Sequence, residues 1–289
     1  MKELFIQHKT IPDSYIESKI LTFLKEDCAH DDLTTQATEV HSTQNATAKI
    51  IAEEKCVFVG SAIIMNIFKE ADCILHSLDG QICNVGDTIA TITGNIQLLL
   101  SRERVLLNLL QRLCGVASLT NQYVNNLDSK TIKILDTRKT TPGLRLFEKY
   151  AVNMGGGYNH RLNLFDGVMF KDNHLAIINN LERVLLTLKT KYPDKKIQIE
   201  VDTFEQLQNL FSIPTIQMDA ILLDNMLPNE VKQCSKFVRA TSPTCFIEVS
   251  GGVTLDNLLN YKNFDIDGIS VGALTHQAVS KNIKLEFVG

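Results

Sequence analysis

The sequence has no tryptophan, so only tyrosine and phenylalanine could report on binding by intrinsic fluorescence. It also lacks any apolar stretch near the roughly 18 residues of a membrane span. The run Leu98–Leu100 passes almost at once into Arg102, Glu103 and Arg104. A soluble chain with no membrane partner is therefore expected. Met1 to Lys9 holds no apolar core followed by a small-residue cleavage site, so no secretory signal is expected and the cytoplasm is the expected compartment. Seven cysteines occur, at 28, 56, 73, 83, 114, 234 and 245, with none at CxxC spacing. Such scattered thiols read as reduced core residues, belonging to neither a disulfide framework nor a zinc site. Basic excess is missing too: 29 Lys and Arg against 33 Asp and Glu give a net charge of -4. That argues against broad nucleic-acid binding and leaves room for a local basic pocket. We find no internal repeat, linker or low-complexity tract.

Apolar residues make up 44% and charged residues 21% of 289, so the chain should fold, as one large or two modest domains. From about Thr131, short apolar runs recur and stop at polar residues: TIKILDT, DGVMFKDNH, KIQIEVDT, AILLDN, CFIEVSGG and GISVG. Their centres are 23 to 34 residues apart. Helix-like segments lie between. Leu175 to Tyr192 carries Ile178, Leu181, Val184, Leu185 and Leu188 at helical spacing, and Thr203-Phe-Glu-Gln206 has the form of a capping box. Strand and helix alternating at this period predict βα units around a parallel sheet, and six units favour a barrel over an open sheet.

The first 115 or so residues differ. A helix pattern from Pro12 to Glu26 precedes strand-like Ala48 to Val59, a short helix from Ser61 to Ala71, and strand-like Ile74 to Leu78 and Thr88 to Thr93, with Gly80 and Gly86 as turns. This predicts a smaller α+β domain. Leu99, Leu106, Leu110 and Leu113 predict one or two long helices between Ile96 and Leu127 that bridge the halves.

In a βα barrel the reactive groups project from the C-terminal ends of strands. Here those ends carry Asp136, Arg138 and Lys139; Lys171 and Asp172; Glu200 and Asp202; Asp224; Glu248 and Ser250; and Gly272. From Arg138 to Lys171 there are six Lys or Arg against two acids, a local balance of +4 beside His160, which leaves -8 for the rest. Several such cations need a multiply anionic ligand, since arginine's fork matches carboxylate or phosphate oxygens. The carboxylates suit ribose hydroxyls or a magnesium ion carrying phosphate. Ser250-Gly251-Gly252 and Gly272 end the last two strands, where barrels bind phosphate through backbone N–H groups. Gly155-Gly156-Gly157 permits close backbone approach just before His160 and Arg161. The expected ligand is a phosphorylated sugar beside a second, carboxylate-rich anion. Blander readings exist for each part. A strand-end charge also fits a solvated loop, SGG a simple turn, Arg104 a pair with a neighbouring acid, and His174 and His276 caps.

The segments DTRKTTPGLR, KYAV, GGGYNHR and KDNH, in that order between Asp136 and His174, closely resemble quinolinate phosphoribosyltransferases. The resemblance extends to EDCAHDDLTT at Glu26 to Thr35, SRERVLLNLLQRLCGVAS at Ser101 to Ser118, IEVD, LLDN, EVSGGV and DGISVGALTH. It implies magnesium-dependent coupling of quinolinate to phosphoribosyl pyrophosphate in NAD synthesis, releasing pyrophosphate and carbon dioxide and giving nicotinate mononucleotide. It implies an α/β fold: an N-terminal α/β sandwich domain (1–115), an incomplete, open α/β barrel of about six to seven parallel strands (116–275) and a C-terminal segment (276–289) packing back toward the first domain. A homodimer or higher homo-oligomer with shared active sites is also implied.

By resemblance, Arg138, His160, Arg161 and Lys171 bind quinolinate, joined by Arg104 from the partner subunit. Thr137 joins the substrate-binding set, and Lys139 serves the pyrophosphate and ring-carboxylate region. Glu200 and Asp224 meet the ribose hydroxyls and Mg2+; Ser250, Gly251, Gly252, Gly272 and His276 hold the 5′-phosphate. Lys139, Lys171, Glu200 and Asp224 form the implied catalytic set. Asn153 departs from the pattern, which often has a basic residue between KYAV and GGG. A related protein of molybdenum-transport operons shares DTRKTTPGLR but lacks a KDNH of this form. A noncatalytic binding protein would be expected to lose sugar-site carboxylates, and a nondecarboxylating nicotinate transferase would need fewer cations.

Overall fold

The computed structural model describes residues 3–38, 44–213 and 218–288. Two helices, α1 (Asp13–Glu26) and α2 (Leu33–Ala37), come first, then β1 (Asn45–Ala52), β2 (Cys56–Val57), α3 (Ser61–Ile67), β3 (Asp72–Leu75), β4 (Ile82–Cys83) and β5 (Thr88–Asn95). The long α4 (Ile96–Leu127) follows directly, then β6 (Lys133–Leu135), α5 (Arg145–Met154), β7 (Val168–Phe170), α6 (Asp172–Leu175) and α7 (Leu181–Lys191). The chain continues through β8 (Ile197–Val201), α8 (Phe204–Phe211), β9 (Ala220–Asp224), α9 (Pro228–Thr241), β10 (Phe246–Ser250), β11 (Gly268–Ser270), α10 (Ala273–His276) and β12 (Ile283–Phe287). These elements sort into two compact units: His8–Asn121 with Leu146–Gly156 and Gln277–Gly289, and Met1–Gln7 with Gln122–Arg145 and Gly157–His276.

The first unit is built on an antiparallel sheet of order β12-β1-β5-β3. Alternation in β1 buries Ala48, Ile50 and Ala52 on one face, and Ile50 lies opposite both Leu285 and Ala90. Ile16, Ile20 and Leu24, one turn apart on α1, are buried, as are Leu99, Leu106, Leu110 and Leu113 of α4. The stretch Ile96 to Leu127 is a single helix of 32 residues. The expected strand from Ala48 to Val59 is broken after Ala52, where Glu54 accepts the Asn282 N–H and pairs with Lys281. Gly80 and Gly86 adopt positive φ, as turns require.

The second unit is a six-stranded parallel sheet of order β6-β11-β10-β9-β8-β7. The order is that of a barrel cut between β6 and β7, the incomplete, open barrel that the resemblance implied. Beyond β6 the chain returns only for an isolated bridge, Leu135 with Tyr158, before Asn159 and His160 turn to bind Asp136. The first four residues of β9, Ala220 to Leu223, are apolar and buried, as in a parallel strand covered on both faces. Leu4 and Phe5 pack with Leu135, Ala220, Phe246 and Tyr158. The helix expected from Leu175 instead begins at Leu181, because the Asn180 side chain accepts the Arg183 N–H and caps it. At α8, Thr203 accepts the Gln206 N–H as expected, but the Gln206 side chain reaches back to the N–H of Asp202 rather than of Thr203.

Five cysteines are buried, Cys73 is partly so and Cys28 is exposed. Among the described residues, no helix is long and apolar enough to cross a membrane.

Candidate active site

The loop after β6 is held from beneath. Asp136 is wholly buried and accepts the His160 N–H at 2.8 Å and the Asn159 amide at 2.7 Å. It therefore ties two loops together and is not a carboxylate of the barrel mouth, as its strand-end position had implied. With that anchor, Arg138 and Arg161 come close enough for their charges to interact. Arg161 is buried and donates to the Gly167 carbonyl at 2.8 Å. Burial, and then the Arg138 charge, lower its pKa from the ordinary value, against Asp166. Arg138 has a buried Nε without a hydrogen-bond partner. Two neighbouring guanidiniums, one with an unmet donor, favour a bound anion.

Lys139 is exposed on a pinned backbone: its N–H donates to Thr137 Oγ1 at 3.0 Å, and its carbonyl accepts the Thr275 hydroxyl at 2.6 Å. Gly272 lies under it. A Cβ there would stand 3.0 Å from Lys139 Cδ and 3.1 Å from His276 Nε2, so glycine lets these side chains converge.

Lys171 and Glu200, at adjacent strand ends, pair at 2.8 Å. His174 sets the Lys171 backbone, its Nδ1 accepting the Lys171 N–H at 3.2 Å, so the blander capping reading of this histidine holds. Burial raises the Glu200 pKa, opposed by Lys171 and reinforced by the charges of Asp224 and Asp202. Asp224 accepts the Asn225 amide at 2.7 Å, and the Asn225 N–H donates to the Ser250 carbonyl at 2.9 Å. Gly251 has φ +92°, and a Cβ there would lie 2.2 Å from Asn225 Oδ1. Gly252 follows, also at positive φ. The Asp224 carboxylate and the glycine loop are thus linked through one asparagine.

Not every predicted residue joins this group. Glu248 is fully buried, 3.3 Å from His160 Nε2, and faces no mouth. Lys149, counted among the local cations, is fully buried on α5, in the antiparallel unit. Arg145 is spent on Thr140 and the Leu162 carbonyl. Gly155 approaches the Ala117 carbonyl of α4, so its missing side chain serves helix packing. Arg104 also belongs to the antiparallel unit, where it is exposed and makes no ion pair among the described residues. The blander reading of a neighbouring acid therefore fails. His30, Asp32 and Thr35 of EDCAHDDLTT line a cleft of that unit with Gln97 and Arg102. Among the described residues, no three or more His, Cys, Asp or Glu side chains cluster to hold a metal.

Family models match both parts of the chain: the quinolinate phosphoribosyl transferase N-terminal domain over residues 32–114 and its C-terminal domain over 116–286. The chain belongs to the quinolinate phosphoribosyl transferase family. It is 42% identical over 269 residues to a probable nicotinate-nucleotide pyrophosphorylase (carboxylating) of Bacillus subtilis, covering 91% of this chain and 90% of the relative. Its fold matches the solved nicotinate-nucleotide pyrophosphorylase of Francisella tularensis with a TM-score of 0.88 at 28% identity, over 98% of this chain and 100% of that one. The Ehrlichia chaffeensis pyrophosphorylase gives 0.84 at 34% identity, over 93% and 97%. A likeness to human nicotinic acid phosphoribosyltransferase, at 11% identity and TM-score 0.61, is one of fold alone.

Three polar residues that sequence reasoning did not single out touch the candidate set: Gln198, Asn225 and Thr275. Gln198 carries a readable signal, since an uncharged amide two residues before Glu200 in a strand points to the same face.

Proposed function

We propose that the protein transfers the phosphoribosyl group of phosphoribosyl pyrophosphate to quinolinate with loss of carbon dioxide, forming nicotinate mononucleotide in NAD biosynthesis. The observation that carries this is the buried, unpartnered Nε of Arg138 beside the buried Arg161. Quinolinate presents two adjacent carboxylates, and a pair of guanidiniums that makes no ion pair among the described residues suits such a dianion. Arg138, Arg161 and Lys171 hold it in this reading, His160 backs them from inside the barrel, and Arg104 of the partner subunit completes the cage.

Glu200 and Asp224 are two carboxylates close enough to influence each other. Two carboxylates together with substrate phosphate oxygens and water are an ordinary donor set for magnesium, so these residues fit the ion. When bound, magnesium would neutralise charge on the pyrophosphate. Lys139 meets the leaving pyrophosphate, with Thr137 and Thr275 fixing its backbone. Glu200 and Asp224 bind the ribose hydroxyls and lie near the positive charge that develops on the sugar. Ser250, Gly251, Gly252, Gly272 and His276 seat the 5′-phosphate.

The quinolinate nitrogen forms a bond to the anomeric carbon as the bond to pyrophosphate breaks. It is a weak nucleophile, and fixing both reactants can contribute about 7 to 11 kcal/mol toward the barrier. As carbon dioxide leaves, the electron pair of the carbon–carboxylate bond stays on the ring carbon, stabilised by the adjacent nitrogen, now cationic, and that carbon then takes up a proton from solvent. No further electron sink is required. Arg161→Ala leaves a carboxylate unpaired and should cost about 2 to 5 kcal/mol, lowering kcat/KM for quinolinate roughly 30- to 5000-fold in a steady-state assay. An unchanged kcat/KM contradicts the assignment.

A further inference from the structure

Two strands of the parallel sheet carry a polar side chain with no exposed surface: Gln198 on β8 and Glu248 on β10. Glu248 Oε2 accepts the Gln198 amide at 2.7 Å, and its Oε1 accepts the Ser270 hydroxyl of β11. His160 Nε2 lies 3.3 Å from Glu248 Oε2 and 3.0 Å from Gln198 Oε1.

These contacts fix the hydrogens. A carboxylate only accepts, so the Gln198 nitrogen faces Glu248 and its oxygen faces His160. An amide oxygen cannot donate, so the hydrogen of that contact sits on His160 Nε2. Burial pushes the Glu248 pKa up, but the positive charge of the His160 ring, when it carries one, and the hydrogen bonds from His160, Ser270 and Gln198 outweigh it and hold the carboxyl below its ordinary value. The ring is further placed by Phe5, 4.6 Å away between centroids, and by Asp136, which accepts its backbone N–H. Glu3, Lys133 and Tyr158 are the other titratable groups lining the small cavity beside it.

A buried carboxylate left without a cation is costly, whereas one paired with an imidazolium is compensated. We propose that Glu248, steadied by Gln198 and Ser270, is a positioning residue that fixes His160 with hydrogen on Nε2 and holds the ring as an imidazolium when a dicarboxylate binds beside Arg138 and Arg161. The inference rests on the reading of that cluster as the quinolinate site. Glu248 touches no substrate in this account; its effect passes through the histidine.

Glu248→Gln keeps the shape of the bracket and removes its charge. In the full-length enzyme the KM for quinolinate should rise about tenfold or more, while the KM for phosphoribosyl pyrophosphate stays within about twofold. Nitrogen-15 NMR of the histidine rings should show His160 with hydrogen on Nε2 in the free wild type, doubly protonated with quinolinate bound, and singly protonated in the variant. A quinolinate KM that does not move in a folded variant, a parallel loss for both substrates, or hydrogen on Nδ1 in the free wild type overturns the proposal. If Glu248→Gln does not fold, Ser270→Ala retains the carboxylate and removes one of its donors. Its quinolinate KM should rise about two- to fivefold, and no rise counts against the bracket. A wild type that forms no product from quinolinate refutes the functional reading instead, while the free-enzyme ring hydrogen, observed without turnover, is judged separately.

Discussion

A guanidinium nitrogen buried without an acceptor, as in Arg138, is tolerated when a ligand supplies the acceptor. The same economy holds at Gly251, whose φ of +92° and 2.2 Å virtual approach to Asn225 leave no room for a side chain. Gly251→Ala should lower stability by about 1 to 3 kcal/mol in denaturant unfolding and raise the KM for phosphoribosyl pyrophosphate, because Asn225 also holds Asp224. Unchanged stability and KM would count against this loop as the phosphate seat. The cations of the candidate site could be named from sequence alone, since Arg138, Lys139, Arg161 and Lys171 stand in contiguous motifs rich in charge. Asp136 and Glu248 were misplaced at the mouth, because a carboxylate near a strand end reads alike whether it faces solvent or a buried partner. Asn225 and Thr275 stayed silent, since neutral polar residues in loops acquire meaning only from neighbours distant in sequence.

Elements were legible where burial imposes a period. The six apolar runs became β6 to β11, and α4 followed from its leucines. The start of α7 was missed because Ile178 continues the helical period while Asn180, a cap, overrides it. One junction explains how β8 and β9 are held. Asp219 accepts the Ile197 N–H, Lys189 Nζ and Lys196 Nζ, each at 2.9 Å. Burial raises its pKa, but these donors outweigh burial and hold it below the ordinary carboxylate value. A lowered folded pKa means that the protonated form is disfavoured in the native state. The stability gained is present above the unfolded value of about 3.9 and is lost as pH falls through the folded one. Asp219→Asn should lose about 1 to 3 kcal/mol at pH 7 and show a flatter acid limb in unfolding measured against pH. A variant with the wild-type acid limb would show that Asp219 does not supply this linkage.

At the scale of the molecule, the incomplete barrel and the antiparallel unit carry different parts of the proposed chemistry, with Arg104 exposed on the latter. If sites are shared between subunits, Arg104→Ala and Lys139→Ala should each be nearly inactive alone. Co-refolded as a mixture they should recover up to about a quarter of wild-type activity, because half the dimers are hybrids with one intact site. No recovery contradicts sharing. The two-part fold was legible from the change of pattern along the chain, and the open barrel from the family resemblance, since nothing in the strand spacing itself distinguishes a closed barrel from a cut one. The most direct test of the central claim is to incubate the protein with quinolinate, phosphoribosyl pyrophosphate and magnesium and to quantify nicotinate mononucleotide and carbon dioxide by mass spectrometry, with nicotinate replacing quinolinate in parallel. Equimolar products from quinolinate and none from nicotinate are expected; product from nicotinate, or none from either, contradicts the account.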